Sequence, residues 1–361
     1  MSTLLTLPVK TLPKVGVAAY RGDDALRRIS ALDDYFRRGS RVPLTRSAKW
    51  LEVLTEAFSH EPYVVEATRE GRVVAGLCLC FVRTRLFGRF LVSLPYLNSS
   101  GLHSDDAAAS SAVMDKAAAL ADELDVKYLE LRNESAIEHP RINQARTDKV
   151  HMRLLLPSSG AVLWEQISAK VRNQVRKAQQ YDFTVHWGQQ DLVDDFYTVF
   201  SRNMRDLGTP TYSRGLFQSI LNRFSDSTEL CVVRDGDRAI AAALLLHGRG
   251  VTEVPSASSL KVYNPSSANM LLYWNLLERA AERGQESFDF GRSTENSPTF
   301  RFKKQWGAKP YPAEWQYYVR QGEAGTLRPD NPKYRVMIAI WRRLPLTLTR
   351  WLGPKIVRGI P

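Results

Sequence analysis

The most distinctive chemistry in this sequence is a group of cations without acidic neighbours. In "WEQISAKVRNQVRKAQQ" apolar residues recur every three or four positions from Trp164 to Ala178, which predicts an amphipathic helix. No acidic residue occurs between Lys170 and Gln180. As a group this basic face indicates a phosphate-bearing ligand, although a solvated helix explains any single member equally well. The candidate substrate-binding cations here are Lys170, Arg172, Arg176 and Lys177.

A second candidate site lies in "FDFGRSTENSPTFRFKKQWG", residues 288–307, where two aromatic segments flank a polar stretch. Interpreted as a strand, the second segment places its aromatic side chains on one face and Arg301 and Lys303 on the other. Lys304 does not fit this alternation. Lysines on an edge strand also discourage aggregation, so the pattern alone leaves a functional and a structural role open.

The composition of the chain limits the class of protein to which it can belong. The chain has 361 residues, 44% of them hydrophobic, which predicts two or three globular domains rather than disorder. Three cysteines without C-x-x-C spacing argue against a disulfide framework, and scattered histidines predict no metal site. The net charge of +12 falls mostly after residue 150 and favours a polyanionic partner.

The elements that must position the candidate residues occur in two copies. "YVVEATREGRVVAGLCLCFV" and "ELCVVRDGDRAIAAALLLHG" both predict β-hairpins, with Gly71 and Gly236 at the turns. Each hairpin is followed by a third strand, a loop, a helix and a further strand. The predicted helices of the two copies are 106–124 and about 267–283, with others at 192–207 and 216–224. The sequence therefore predicts a duplicated α/β unit.

This order resembles the GNAT acyltransferase fold, and a tandem pair resembles the Fem-type (FemAB-related) aminoacyl and peptidyl transferases. The likeness is carried by "SAKVRNQVRKAQQYDFTV", "RDLGTPTYSRGLF", "SSANMLLYWNLLERAAERGQESFDFG" and "TFRFKKQWGAKPYPAEWQYY". These stretches most resemble the Fem-related proteins associated with bacterial exosortase (PEP-CTERM) and exopolysaccharide loci. The likeness covers residues 20–361 and is strongest after residue 160.

The resemblance implies two tandem GNAT-like α/β domains with mixed sheets flanked by helices. We expect an N-terminal extension at 1–19, a first domain at 20–157 and a second domain at 158–330. The active cleft is expected mainly in the second domain. Residues 331–361 form a basic tail in which Trp341 and Trp351 are interleaved with aliphatic residues and no acidic residue occurs. That composition suits an interfacial segment on an anionic membrane, or a segment packed on the body with its bases solvated.

The family's motifs also suggest roles for individual residues. The Lys of the Phe-Lys pair implicated in transfer matches Lys303, whose cation would stabilise the oxyanion formed when an amine attacks an ester. Asp289 would orient the acceptor or accept its proton, or would serve structurally by pairing with Arg292. Tyr212 and Arg214 would line the acceptor groove, or Tyr212 would simply pack over a turn. Arg292 and Arg301 complete the candidate substrate-binding residues.

The co-substrate is the weakest part of the resemblance. GNAT enzymes bind the pyrophosphate of coenzyme A with a Gln/Arg-x-x-Gly-x-Gly/Ala loop, whereas the matching segment here is "LKVYNPSSANML". This departure favours an aminoacyl-tRNA over an acyl-CoA as donor, with no permanently bound cofactor. The expected acceptor is an amine or hydroxyl of a nucleotide- or lipid-linked envelope precursor, for peptidoglycan or exopolysaccharide.

Two other functions remain open on the sequence. One is an acyl-CoA-dependent transferase acting on a polysaccharide, and the other is a non-catalytic factor for envelope assembly. The first residues lack the apolar core of a signal peptide, and the longest uninterrupted apolar run, 239–246, is too short to span a membrane. We therefore expect a cytoplasmic protein, with its tail on the inner face of the membrane if the interfacial interpretation holds.

Overall fold

The computed structural model of the chain describes residues 14–324 and 335–360 and contains two mixed β-sheets. The first has the strand order β1-β2-β3-β4-β6-β15-β7, with β5 paired to β3. Its strands are β1 (Gly16–Arg21), β2 (Glu61–Arg69), β3 (Arg72–Thr84), β4 (Gly88–Val92), β5 (His103–Ser104), β6 (Tyr128–Asn133), β7 (Gln144–Arg146) and β15 (Glu314–Val319). One long helix, packed on β2 and β3, covers a face of this sheet.

The second sheet repeats this plan in the order β14-β8-β13-β12-β11-β10-β9. Its strands are β8 (Lys149–Leu155), β9 (Phe183–Gly188), β10 (Thr228–Asp235), β11 (Arg238–His247), β12 (Val251–Ser259), β13 (Ser287–Thr294) and β14 (Lys309–Pro312). In both sheets three antiparallel pairings are followed by a parallel one, β4–β6 in the first sheet and β12–β13 in the second. The predicted mixed α/β architecture is therefore correct.

Twelve α-helices occur among the described residues, and most bury one face on a sheet. They are α1 (Asp23–Arg27), α2 (Ile29–Phe36), α3 (Trp50–Phe58), α4 (Ala107–Glu123), α5 (Gly160–Gln166), α6 (Ala169–Gln179), α7 (Val193–Leu207), α8 (Arg214–Arg223), α9 (Ala268–Glu282), α10 (Pro298–Gln305), α11 (Arg335–Trp341) and α12 (Leu346–Val357). The helices predicted at 106–124, 192–207, 216–224 and 267–283 are confirmed to within two residues at each end. The helix predicted from Trp164 to Ala178 is instead divided into α5 and α6, because Ile167 and Ser168 have extended backbone. The two hairpin glycines have φ of 75° and 54°, as their turns require.

The largest core cluster joins the two halves of the molecule. Apolar residues of α2 and α3 in the first half and of α7 and α8 in the second belong to it; α3 packs on α8, and the Trp50 and Phe224 rings lie 5.1 Å apart between centroids. A second cluster fills the space between the second sheet and α5, α6, α9 and α10, and a third lies between the first sheet and α4. The two sheets are therefore fixed relative to each other by a shared apolar core.

The sheets divide the chain differently from the expected boundary at 157/158. Strand β8 precedes that boundary but pairs with β13, whereas β15 lies well beyond it and pairs with β6. Strand β1 likewise begins inside the expected extension, of which residues 1–13 lie outside the described part. Periodicity could not show which sheet β8 and β15 join. Strands β6 and β13 each leave an open edge, and the backbone of either β8 or β15 could form hydrogen bonds with either edge.

The segment interpreted as a strand around Lys303 is the helix α10, so that prediction was wrong. The side chain of Ser297 caps the helix by accepting a hydrogen bond from Phe300 N at 3.1 Å, and Pro298 occupies its first turn. Phe300 and Lys303 are buried one turn apart, while Lys304 is exposed. The aromatic residues therefore follow a helical rather than an alternating period.

The C-terminal helices pack on the body of the protein. The α-carbon of Gly353 lies so close to Thr211 that a Cβ would come within 2.7 Å of its backbone N. Arg350 Nε donates to Ser201 Oγ at 2.9 Å, and Val357 is buried. Residues 331–334, including Lys333 of the predicted basic tail, lie outside the described part. No helix of residues 14–324 or 335–360 is long and apolar enough to cross a membrane.

Candidate active site

The candidate site is a cavity of about 440 Å³ between the two sheets. Strands β12 and β13 pair only as far as Glu253 and Asp289, and β4 and β6 only as far as Val92 and Glu130. Beyond these pairs the parallel strands diverge, and both openings face the cavity. Its polar lining includes Thr45, Asn98, Glu130, Arg132, Arg146, Lys149, His151, Tyr212, Glu253, Asp289, Arg292 and Trp315.

Glu253 is the carboxylate best suited to accept a proton in this cavity. Burial raises its pKa from 4.5 to about 7, although hydrogen bonds from Thr45 act in the opposite direction. The Thr45 hydroxyl donates to Oε1 at 2.6 Å and the Thr45 amide donates to Oε2 at 3.1 Å. A carboxylate with a pKa near neutrality can both take up and release a proton under physiological conditions. Thr45 belongs to the first half of the chain, so both halves form this group.

Asp289 is next to Glu253 in register but has a different environment. Its Oδ2 accepts from Arg153 Nε at 2.8 Å and its Oδ1 from the backbone N of Gly291 at 2.7 Å. Arg153 also donates to both carboxylate oxygens of Glu134, at 2.9 and 2.6 Å. Asp289 is thus held in a charge-paired network and fixes the turn at Gly291, where φ is 75°. The alternative structural pairing with Arg292 is not formed; the partner is Arg153.

His151 lies beside this network on the cavity wall. Its Nδ1 is 3.8 Å from Asp289 Oδ2, and burial lowers the pKa of the imidazole. Although the ring is buried, neither nitrogen has a hydrogen-bond partner within the described residues. A buried imidazole in this condition is available to a ligand or to water.

Lys303 lies behind the cavity wall. Its Nζ donates to the backbone oxygens of Gly291 at 3.0 Å and Arg292 at 2.9 Å, and the side chain is buried. Burial lowers the pKa of this amine to about 8. Lys303 therefore fixes the β13 segment that carries Arg292, and its third N–H has no acceptor among residues 14–324 and 335–360.

Two other predicted residues, Arg292 and Tyr212, line the cavity. Arg292 Nε donates to Asn98 Oδ1 at 3.1 Å, so β13 of one sheet contacts the loop that follows β4 of the other. The Tyr212 ring packs nearly parallel to that of Phe200, at 6.2 Å between centroids. Burial raises the pKa of the Tyr212 hydroxyl.

The remaining predicted cations lie away from the cavity. Arg172 Nη1 donates to three backbone oxygens at the end of α5, and Arg176 lies over the Trp164 ring at 5.5 Å. Lys170 and Lys177 are exposed on α6. Arg214 pairs with Asp194 on the surface at 2.9 Å, and Arg301 donates to the Asn296 carbonyl at 2.7 Å.

The sequence interpretation missed Glu253, His151, Arg132, Arg146 and Trp315. Glu253 occurs within "GVTEVPSAS", where one acidic residue in a strand has no distinctive spacing. Its position at the end of the paired segment of β12 would have been informative only if the point of divergence from β13 had been known. The other four lie on β6, β7, β8 and β15, strands whose pairing partners were not predicted.

Comparisons with known proteins agree with this geometry. Residues 166–304 match a family profile described as acetyltransferase (GNAT) domain. FemX aligns with a TM-score of 0.62 at 14% identity over 86% of this chain and 98% of its own. This chain has the tandem GNAT fold. L-PGS from Bacillus licheniformis aligns with a TM-score of 0.54 at 12% identity, covering 88% and 96% of the two chains.

A third solved structure, a tandem GNAT protein from the clavulanic acid biosynthesis pathway, has a TM-score of 0.51 at 12% identity. It covers 84% of this chain and 97% of its own. A search of curated proteins found no match. The expected tandem GNAT fold is confirmed, and in it the diverging parallel strands of each half meet at one cavity.

Proposed function

We propose that this tandem GNAT protein transfers an aminoacyl or acyl group to an amine or hydroxyl of a bacterial cell-envelope precursor. The observation that carries the proposal is Glu253, a carboxyl group with a pKa near 7 where β12 and β13 diverge, within a cavity formed by both halves. The GNAT profile match over residues 166–304 supports acyl transfer as the reaction class.

The proposed reaction is a direct displacement. The acceptor nitrogen or oxygen attacks the carbonyl carbon of the donor ester or thioester while Glu253 accepts its proton. The attack forms the new C–N or C–O bond, and collapse of the tetrahedral intermediate breaks the C–O or C–S bond of the donor while Glu253 returns its proton to the leaving oxygen or sulfur. The ribose hydroxyl of tRNA, or the thiol of coenzyme A, leaves with a proton. No covalent enzyme intermediate is required, so a nucleophilic side chain is unnecessary.

Asp289 and Lys303 have supporting roles in this proposal. Asp289 holds Arg153 and the Gly291 amide in place beside Glu253. The ammonium of Lys303 lies on the far side of the Gly291–Arg292 backbone and contributes positive charge near the cavity, where the oxyanion develops. Tyr212 and Arg292 contact the acceptor, and the basic face of α6 attracts a polyanionic donor.

Two donors are compatible with this chemistry. The segment "LKVYNPSSANML", which lacks the glycines of the coenzyme A loop, supports an aminoacyl-tRNA, whereas the acetyltransferase (GNAT) profile supports an acyl-CoA. The test is transfer of radiolabel from charged tRNA or from acetyl-CoA to lipid-linked and nucleotide-linked precursors, with Glu253→Gln as the control. Transfer from acetyl-CoA alone would favour a polysaccharide acyltransferase. Binding of both donors without transfer would refute the enzymatic proposal and favour an assembly factor.

We also propose that α11 and α12 contact an anionic membrane. Val336, Met337 and Ile340 on α11 are 70%, 62% and 56% exposed, and Trp351 on α12 is 60% exposed. Arg335 is on α11, Arg342 and Arg343 directly follow it, and Lys355 is on α12. Exposed apolar side chains among bases are typical of interfacial helices, which would bring a lipid-linked acceptor near the cavity.

A further inference from the structure

Three arginines from three strands surround one tryptophan at the wall of the cavity. Trp315 lies on β15, and the Cζ atoms of Arg292, Arg132 and Arg146 are 3.4, 4.2 and 6.0 Å from its ring centroid. All four residues line the cavity. Since β13 belongs to the second sheet and the other three strands to the first, this cluster exists only where the two sheets meet.

The positive charge of the cluster is only partly compensated. Arg132 Nε pairs with Glu130 Oε1 at 2.7 Å and Arg146 Nε pairs with Asp148 Oδ1 at 3.3 Å. Arg292 forms no ion pair within residues 14–324 and 335–360; its Nε donates to the neutral amide of Asn98. Burial and the neighbouring Arg132 lower the pKa of Arg292 to about 9, so at neutral pH it is still a cation.

A half-buried cation beside two like charges is destabilising unless an anion compensates it. The aromatic ring offsets part of this cost through cation–π contact but supplies no hydrogen-bond acceptor to the guanidinium edges. Such an arrangement is retained where a ligand completes it. The empty volume beside the three guanidiniums provides the space for that ligand.

We propose that Arg132, Arg146, Arg292 and Trp315 form an anion subsite that holds a phosphate group of the acceptor. Guanidinium groups match phosphate oxygens in charge and geometry. Arg132 donates Nε to Glu130 and Nη1 to Leu97 O, and Arg146 donates Nε to Asp148 and Nη1 to Tyr317, so Arg292 and the remaining Nη2 groups supply the donors to a ligand. Arg132, Arg146 and Trp315 lie on strands of the first sheet and Arg292 lies on β13, next to the strand that carries Glu253. A phosphate held there belongs to a molecule in the same cavity as the proposed base, and we assign that molecule as the acceptor. This inference rests on the proposed function and specifies its acceptor as a phosphate ester or diphosphate.

The test is calorimetric titration of the full-length protein with inorganic pyrophosphate, inorganic phosphate and citrate. We expect pyrophosphate to bind most tightly, and Arg292→Met to raise its Kd about tenfold to a hundredfold, the value of one charge-assisted contact. Arg292→Lys should retain part of the affinity. Arg72→Met, which removes an exposed arginine from the β2–β3 hairpin, should leave the Kd unchanged. Thermal unfolding of each variant without ligand checks that the fold persists.

Equal pyrophosphate affinity in the Arg292→Met and Arg72→Met variants would overturn the subsite, and tighter binding of citrate would overturn the phosphate assignment. The outcome is separable from that of the proposed function. Pyrophosphate binding that depends on Arg292, in a protein that transfers no acyl group, would keep the subsite and refute the enzyme. Acyl transfer with an unchanged acceptor KM in Arg292→Met would keep the enzymatic proposal and refute the subsite.

Discussion

Replacing Glu253 with glutamine should lower activity and raise stability together. Glutamine keeps the shape of the side chain and can still accept one hydrogen bond from Thr45, but it cannot take a proton. Loss of a general base costs about two to four orders of magnitude in turnover. We therefore expect kcat/KM to fall by that range and to lose the ionisation near pH 7 that Glu253 gives the wild-type profile.

The stability change follows from the raised pKa. The folded protein holds the Glu253 proton more tightly than the unfolded chain does, so the native state loses stability as pH rises from 4.5 to about 7. A shift of this size corresponds to at most about 3 kcal/mol, reduced by water in the cavity. Because glutamine is neutral at every pH, the variant should unfold at higher urea concentration than the wild type at about pH 8, and at a similar concentration below about pH 4.

The assays are urea unfolding at both pH values and the pH profile of kcat/KM, with Glu282→Gln as the matched control. Glu282 is exposed on α9, so its replacement should change neither quantity. An unchanged pH profile in Glu253→Gln would show that another group is the base. A lower stability of the variant at about pH 8 would contradict the environment inferred for this carboxylate.

Three further outcomes are expected. Lys303→Met should reduce turnover by about two to three orders of magnitude. It should also lower the unfolding midpoint, since two buried backbone oxygens lose their donor, whereas Lys304→Met should change neither quantity. Loss of stability with full activity per folded molecule would show that the role of Lys303 is purely structural. Thr45→Val should shift the Glu253 ionisation in the pH profile upward, because the lost hydroxyl favours the charged form, and a downward shift would refute that contact. Trp351→Ala should reduce co-sedimentation with anionic vesicles by about tenfold without changing the melting temperature, and unchanged binding would remove the membrane proposal.

The sequence predicted those parts of the fold that depend on local patterns. Paired hairpins, helix periodicity and the glycines that follow helices, such as Gly208 and Gly284, identified most elements of both halves. The helix around Lys303 was missed because alternation was given more weight than the capping signal of Ser297 and Pro298. That signal favours a helix whatever the pattern of the following aromatic residues.

The candidate site was less predictable, because it depends on long-range pairing. Asp289, Arg292 and Tyr212 were found through motif resemblance, and the structure brings them to one cavity. The basic helix was conspicuous in the sequence, yet Arg172 caps the preceding helix instead of lining the cavity. Glu253 and the arginines around Trp315 acquire their character only from neighbours far along the chain, which no local pattern reports.

The exchange of strands between the sheets has a consequence for synthesis of the chain. During translation the ribosome releases β6 long before β15. The hydrogen bond from the Asn133 side chain on β6 to the Gln316 side chain on β15, for example, joins residues 183 positions apart. The edge of β6 that pairs with β15 therefore stays unpaired until nearly the whole second half has emerged. All strands of the second sheet precede β15 in the chain, so we expect the second sheet to pair first and the cavity to form when β15 completes the first sheet.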